Sequence, residues 1–235
     1  MSPTRASALD EVAEGVWLAS EPVSIVGMPL SVNMTVLRLD SDALVVHSPL
    51  EATPALVEEV AALGRVRHLY APNTFHHRRL AEWQAAYPDA TLHAPRGLFG
   101  KRDDLRIDRL FDAPPPGEWA NQLDEVEIAG FRLEEAVLFH RPSGTLVVTD
   151  LFHNVGRPSS RWARIYTRLM GFYDRVALSR VIRSTAFTDE AAAREAVSHI
   201  AAWPVERIVV GHGAPIVEGA REAFDGAVAW LLDEG

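Results

Sequence analysis

Residues 66–77 read VRHLYAPNTFHH, and their pattern indicates a strand followed by a loop and a helix, as in mixed α/β proteins. The apolar run at 66–70 predicts a strand, a loop follows it, and the pattern over 76–86 predicts a helix. Two adjacent histidines, His76 and His77, therefore lie where the loop enters the helix. Loops at strand ends commonly bind ligands, so the same stretch predicts a functional site.

The residues before this stretch predict strands and one helix. Three apolar or alternating runs between turn residues indicate strands: 12–19, 32–39 and 43–46. A helix over 53–64 begins with Thr53 as its N-cap and Pro54 at its first position, and Gly64 ends it.

The residues after this stretch also predict both strands and helices. Further strands are predicted at 90–93, 125–128, 134–140, 145–150 and 207–210, and helices at 160–183, 189–202 with Thr188 as cap, and 217–233. A turn at 141–144 makes a hairpin of two of these strands. Two strand-rich halves that each end in strand–helix units predict a mixed α/β (α+β) fold, a four-layer αββα sandwich. A doubly wound parallel sheet fits less well, because the opening strands and the hairpin are antiparallel in character.

Composition narrows the classes of protein. The chain has 235 residues, a formal charge of −9 and no cysteine, which excludes disulfides, thiolate nucleophiles and cysteine-based zinc sites. We expect one domain over 1–235. The acidic balance argues against nucleic acid as a partner. With no secretory signal or membrane-spanning run, we expect a soluble, cytoplasmic protein without a membrane partner, and the oligomeric state stays open.

Several histidines and one aspartate occupy similar places in the predicted fold. His76 and His77 follow one strand, Asp150 and His153 end another, and His212 follows the last. Strand ends in layered α/β proteins share a common rim. Neutral imidazoles with a carboxylate at such a rim could bind zinc, iron or manganese.

In these places the sequence resembles the metallo-β-lactamase-like superfamily, as a divergent and uncharacterised branch, over nearly the whole chain. The family motif H-x-H-x-D-H aligns with residues 72–77, so that His77 matches its last histidine and His76 replaces its aspartate. Thr149-Asp150 matches the family's Gly-Asp, which carries the metal-bridging carboxylate, and Gly211-His212-Gly213 matches its last Gly-His turn.

The chain also departs from the family pattern. Pro72 and Thr74 replace the first two histidines of the motif, and no histidine precedes the hairpin. The family's Asp-x-Gly segment reads His47-Ser48-Pro49 here. The first metal position of the family has thus lost its three histidines, whereas the second retains potential ligands.

The resemblance implies a metal-dependent hydrolase-like activity on a small-molecule substrate with an altered, mononuclear site. The ligands that it implies are His76, His77, Asp150 and His212. Zinc is the metal expected first, with iron and manganese as alternatives. Asp150, Asn73 and Glu135 are the candidate catalytic residues, with Asn73 or Glu135 polarising a bound water, since Glu135 pairs opposite Asp150 across the hairpin.

Two other interpretations stay open. A member of this fold that has lost its metal would act as a binding or regulatory protein, and loss of three family ligands favours that interpretation. A histidine-rich mononuclear site also suits iron, and hence redox or oxygen chemistry. The sequence itself does not name a substrate.

An arginine-rich segment follows Asp150. Residues 155–187 contain seven arginines and one acidic residue, which gives +6 within a chain of −9. We expect a helical insert here that either covers the core with one face or binds an anionic substrate or partner. His153, Arg157 and Arg161 are the candidate substrate residues.

Overall fold

The computed structural model describes residues 9–25 and 27–233, which form two sheets flanked by helices. The first sheet has seven strands in chain order: β1 (Asp10–Ala13), β2 (Val16–Ile25), β3 (Met28–Arg38), β4 (Ala43–His47), β5 (Arg65–Tyr70), β6 (Thr91–Ala94) and β7 (Arg109–Leu110). The second has the spatial order β11-β10-β9-β8, from β8 (Leu123–Glu127), β9 (Ala136–His140), β10 (Thr145–Val147) and β11 (Arg207–Val209). The helices are α1 (Pro54–Leu63), α2 (Leu80–Ala86), α3 (Arg161–Met170), α4 (Arg180–Thr185), α5 (Glu190–Ala201) and α6 (Ala220–Leu232).

Three apolar cores separate four layers. Leu56 of α1 and Trp83 of α2 pack on the outer face of the first sheet. Val45 and Leu138 meet between the two sheets. Phe224 of α6 packs on the outer face of the second sheet, together with residues of α5. This arrangement confirms the predicted αββα sandwich.

Both pairing modes occur, as the sequence indicates. Strands β1 to β4 and β8 to β10 pair antiparallel, whereas β4 to β7 pair in parallel, as do β10 and β11. The β9–β10 hairpin pairs Thr145 with His140 and Val147 with Leu138. The same register, continued beyond β10, sets Asp150 opposite Glu135.

Helix α1 forms as the sequence predicts. The Thr53 hydroxyl accepts a hydrogen bond of 3.2 Å from the backbone N–H of Leu56, and Pro54 is the first helical residue. Helix α2, by contrast, begins at Leu80 and not at His76. The Asn73 side chain accepts hydrogen bonds from the N–H groups of Phe75 and His76, which holds the preceding residues in turns.

The predicted helix over 160–183 is interrupted. Helix α3 ends at Gly171, which adopts a left-handed conformation with φ 87° and donates to carbonyls of the last turn. A segment of turns, residues 171–179, then separates α3 from the short α4. The cap of α5 is Asp189, whose side chain accepts from the N–H of Ala192, and not Thr188. No helix within the described ranges is both long and apolar enough to cross a membrane.

Candidate metal centre

Three side chains that could ligate a metal come together at the rim between the sheets. Nε2 of His76 lies 3.5 Å from Oδ2 of Asp150 and 3.2 Å from Nε2 of His212. Nε2 of His212 lies 3.5 Å from Oδ1 of Asp150. His76 lies in the loop after β5, Asp150 follows β10, and His212 follows β11. We call this set the His-Asp-His group.

The spacing of the three donor atoms fits a tetrahedral metal ion. Zinc bonds to imidazole nitrogen and carboxylate oxygen measure about 2.0–2.1 Å, so the edges of a zinc tetrahedron measure about 3.3 Å. The two imidazole nitrogens are 3.2 Å apart, close to that value, and each lies 3.5 Å from a different oxygen of Asp150. Three protein donors leave the fourth corner open, as in catalytic zinc sites.

Hydrogen bonds on the far side of each ring orient both imidazoles. Nδ1 of His212 lies 2.7 Å from the carbonyl oxygen of Ser31. Because a carbonyl only accepts, Nδ1 carries a proton and Nε2 is the nitrogen that faces the group. Nδ1 of His76 lies 2.8 Å from Oγ of Ser48. Metal-binding histidines in proteins are held in this way.

Asp150 is held by its side chain and by its backbone. Nδ2 of Asn73 donates a hydrogen bond of 2.8 Å to Oδ2 of Asp150. Burial acts to raise the pKa of Asp150, but His76 and His212 outweigh it and hold that pKa well below its usual range. The carboxylate is therefore ionised at neutral pH, as a ligand must be.

Glu135 lies behind Asp150 and is fully buried. Its carboxylate accepts hydrogen bonds of 2.8 Å from the backbone amides of Thr149 and Asp150. Burial, and next the charge of Asp150, raise the pKa of Glu135 to about 7. Neither Glu135 nor Asn73 lines the cleft described below, so this placement favours a positioning role over the predicted contact with a water.

The structure does not bring His77 into the His-Asp-His group. Nδ1 of His77 lies 2.5 Å from a guanidinium nitrogen of Arg102, which also donates to the His77 carbonyl. Adjacent side chains in a turn point in different directions, and here the first of the pair faces the rim. The sequence proposed four ligands, and the structure assembles three of them.

His153 lies beside the group instead. Its ring centroid is 5.4 Å from that of His212, and the two rings meet edge to face. Nδ1 of His153 is buried without a hydrogen-bond partner among the described residues. Burial lowers the pKa of His153 to about 4, although Asp150 opposes the shift. The sequence treats His153 as a substrate residue, and its position three residues after Asp150 is the signal for a ligand role.

The predicted substrate arginines lie away from the group. Arg157 forms an ion pair with Asp174, and Arg161 begins α3 with its side chain exposed. Neither lines the cleft at the group.

An open cleft of about 780 Å³ leads to the His-Asp-His group. Its walls are largely apolar, with Val23, Val32, Leu50, Phe75, Leu133 and Ile182 among the lining residues. Arg78 lies on the cleft and makes no ion pair or hydrogen bond with the part of the chain that the structure describes. The neighbouring Arg79, in contrast, pairs with Glu51 and Glu82.

This geometry was compared with known proteins. No family model and no curated protein matches the sequence. Solved structures, however, match over almost the whole chain. A metallo-β-lactamase from Pontibacter korlensis superposes with a TM-score of 0.64 at 12% identity, covering 97% of this chain and all (100%) of that one. The chain has the metallo-β-lactamase fold.

Other solved structures agree on the metallo-β-lactamase fold. The mono-zinc form of the metallo-β-lactamase FIM-1 from Pseudomonas aeruginosa has a TM-score of 0.64 at 15% identity, covering 96% of this chain and 94% of that one. The diflavin flavoprotein A 5 fragment from Nostoc sp. PCC 7120 has a TM-score of 0.68 at 10% identity and covers 96% of both chains. The fold predicted from the sequence is confirmed, and the low identities fit a divergent branch.

Proposed function

We propose that this chain is a metal-dependent hydrolase of small molecules with one metal ion, held by His76, Asp150 and His212. The observation that carries the proposal is the convergence of two imidazole nitrogens, 3.2 Å apart, on the Asp150 carboxylate, each 3.5 Å from one of its oxygens, beside an open cleft. Zinc is the metal that this spacing and donor set favour, and iron and manganese accept the same donors. The similarity to a mono-zinc metallo-β-lactamase supports a single ion.

A bound ion would lower the pKa of a water and polarise a substrate oxygen. Neighbouring residues hold the three ligand side chains in position for such an ion. Ser31 and Ser48 fix the two imidazoles, and Asn73 fixes the carboxylate. Glu135 holds the backbone at Thr149 and Asp150, so that the end of β10 delivers Asp150 in a defined position.

Two groups next to the His-Asp-His group have roles in this proposal. Asp150 is ionised at neutral pH and is the group's carboxylate, so we assign it ligation of the metal. His153 has a buried, unpartnered Nδ1 and is the candidate for a fourth protein contact in place of His77.

The cleft indicates the class of substrate. Its apolar walls suit an acyl or aryl group, and Arg78 adds a cation without a protein partner in the described structure. An ester or amide with an apolar body and a negatively charged group combines these features. In this proposal Arg78, and not Arg157 or Arg161 as predicted from the sequence, contacts the anionic group of the substrate.

Hydrolysis of a panel of aryl esters tests the proposal, with carboxylated and uncharged members of similar size. Metal-loaded protein should hydrolyse at least one ester, and His212→Ala should lose the activity about 100-fold or more. Arg78→Gln should raise KM for the carboxylated esters only. His199→Ala, on the exposed side of α5, is the matched control. Protein that binds no metal and hydrolyses no ester of the panel would favour the alternative of a non-catalytic binding protein.

A further inference from the structure

Helix α3 carries two exposed stripes that the proposed hydrolase chemistry does not use. At about 100° per residue, side chains three and four positions apart share a face of a helix. The arginine stripe consists of Arg161, Arg164 and Arg168, and the apolar stripe consists of Trp162, Ile165 and Leu169. The two stripes lie side by side along the helix.

The apolar stripe is largely exposed, although the ring of Trp162 also lies near Gly27 and Tyr166. Helix α3 packs through Ala163 and Thr167, which are fully buried, with Ala163 against Met28 of the β2–β3 hairpin. Trp162, Ile165 and Leu169 remain 52%, 60% and 64% exposed. Helix α3 thus covers the core with its small side chains, and its three large apolar side chains lie mostly outside that contact.

The arginine stripe lies in a region of opposite charge to the rest of the chain. Residues 155–187 carry +6 and the chain −9, so everything else carries −9 − 6 = −15. The side chains of Arg161 and Arg164 make no ion pair or hydrogen bond with residues 9–25 or 27–233. Arg168 lies over the ring of Tyr173, 4.0 Å from its centroid. Two cations next to the apolar stripe are thus available to an anionic partner.

We propose that α3 docks the protein onto an anionic lipid surface. The helix would lie in the plane of the interface, with the apolar stripe among the acyl chains and the arginine stripe on the lipid phosphates. A convex ridge of large apolar side chains inserts readily into a fluid interface, whereas a protein partner would need a matching groove. The strongly acidic remainder of the chain is repelled by the same surface, which sets the orientation of the molecule.

Docking of this kind needs no membrane-spanning helix, and it differs from the expectation, drawn from the sequence, that the protein has no membrane partner. It is also independent of the proposed hydrolase activity, because none of the six side chains lines the cleft. Tryptophan and arginine are both favoured at the boundary between headgroups and acyl chains.

Co-sedimentation with vesicles tests this proposal. Vesicles of phosphatidylcholine alone are compared with vesicles that contain equal parts of phosphatidylglycerol and phosphatidylcholine. We expect binding to the anionic vesicles only, weakened by added salt. Ile165→Ser with Leu169→Ser, and separately Arg161→Gln with Arg164→Gln, should each weaken binding about tenfold or more.

Matched variants elsewhere on the surface control for general loss of charge and apolar area. Arg65→Gln with Arg67→Gln removes two exposed arginines from β5, and Phe99→Ser removes an apolar side chain that is 72% exposed. Both should bind vesicles like the unaltered protein. Arg164 is half-buried and the other altered positions are exposed, and circular dichroism verifies that each variant folds.

A second measurement follows the tryptophan emission of the unaltered protein. Trp162 is the one exposed tryptophan within the described ranges, so a blue shift of tryptophan emission on anionic vesicles reports its insertion. Trp162→Phe should abolish that shift while binding remains. Equal binding to neutral and anionic vesicles, no binding at all, or equal loss in the control variants would overturn the proposal. A dimer that dissociates in Leu169→Ser, without vesicle binding, would assign the stripe to a second copy of the chain instead.

Discussion

The carboxylate of Glu135 accepts a hydrogen bond of 2.8 Å from the backbone amide of Asp150 across the β9–β10 hairpin. One buried acid thereby positions another that faces the cleft. The second oxygen of Glu135 accepts from the amide of Thr149, so both oxygens are engaged by the chain itself.

Glu135→Gln should therefore affect both stability and metal affinity. A glutamine offers one acceptor oxygen and one donor NH₂, which leaves one buried backbone amide unsatisfied. We expect a loss of about 1–3 kcal/mol in the free energy of unfolding, measured by urea denaturation. Metal affinity should fall about 10–100-fold. Glu195→Gln on exposed α5 should change neither quantity.

Ser48→Ala should weaken metal binding with little effect on folding. The hydroxyl of Ser48 lies 2.8 Å from Nδ1 of His76 and fixes the direction of its ring. We expect metal affinity to fall about tenfold or more, measured by competition with a chelator. Ser198→Ala on exposed α5 is the control, and unchanged affinity in Ser48→Ala would show that Ser48 does not orient the ligand.

His47 should make the folded state sensitive to acid. Both ring nitrogens of His47 are buried without partners among the described residues, and the ring stacks on Tyr70. Burial lowers the pKa of His47 from 6.5 to about 3. Below pH 6.5, His47 is therefore protonated in the unfolded state but stays neutral in the folded state. The free energy of unfolding is thus highest above pH 6.5 and decreases as the pH falls towards 3.

His47→Phe removes that sensitivity while keeping the stacked ring. Relative to the unaltered protein, the variant should gain about 2 kcal/mol of unfolding free energy between pH 7 and pH 5. Urea denaturation in the presence of chelator measures the difference without interference from metal. A difference that stays constant over this range would mean that His47 is protonated in the folded state.

Gly213→Ala should disrupt the turn that carries His212. Gly213 has φ 98°, and a Cβ atom there would approach the carbonyl oxygen of Asn154 to 1.8 Å. We expect destabilisation of about 3 kcal/mol or more, seen as a lower Tm. Gly226→Ala in α6 meets no atom within 4 Å and should stabilise the protein by about 0.5–1 kcal/mol.

Much of the fold follows from local patterns in the sequence. The apolar runs of β4 and β5, the Thr53 cap of α1 and the β9–β10 hairpin each depend on a few neighbouring residues. The start of α2 was mispredicted because the Asn73 side chain holds turns that helical periodicity does not report. The pattern of arginines and apolar residues continues past Gly171, so it did not predict that the helix ends there.

The candidate site was only partly predictable, because its parts lie far apart in sequence. Strand ends predicted that Asp150 and His212 share a rim, and the structure places their side chains 3.5 Å apart. Pattern alone did not decide which of His76 and His77 faces that rim, since the turn geometry depends on Asn73. The exposure of Trp162 was also not predictable from the sequence, because it depends on which face of α3 packs on Met28.

Metal analysis of the purified protein shows whether His76, Asp150 and His212 hold a metal ion. Protein prepared without chelator, or reconstituted with zinc, is measured by inductively coupled plasma mass spectrometry. The proposed site predicts about one equivalent of metal per chain, lost in His76→Ala and His212→Ala and retained in His77→Ala. Less than about 0.2 equivalents after reconstitution, or loss of the metal in His77→Ala alone, would contradict it.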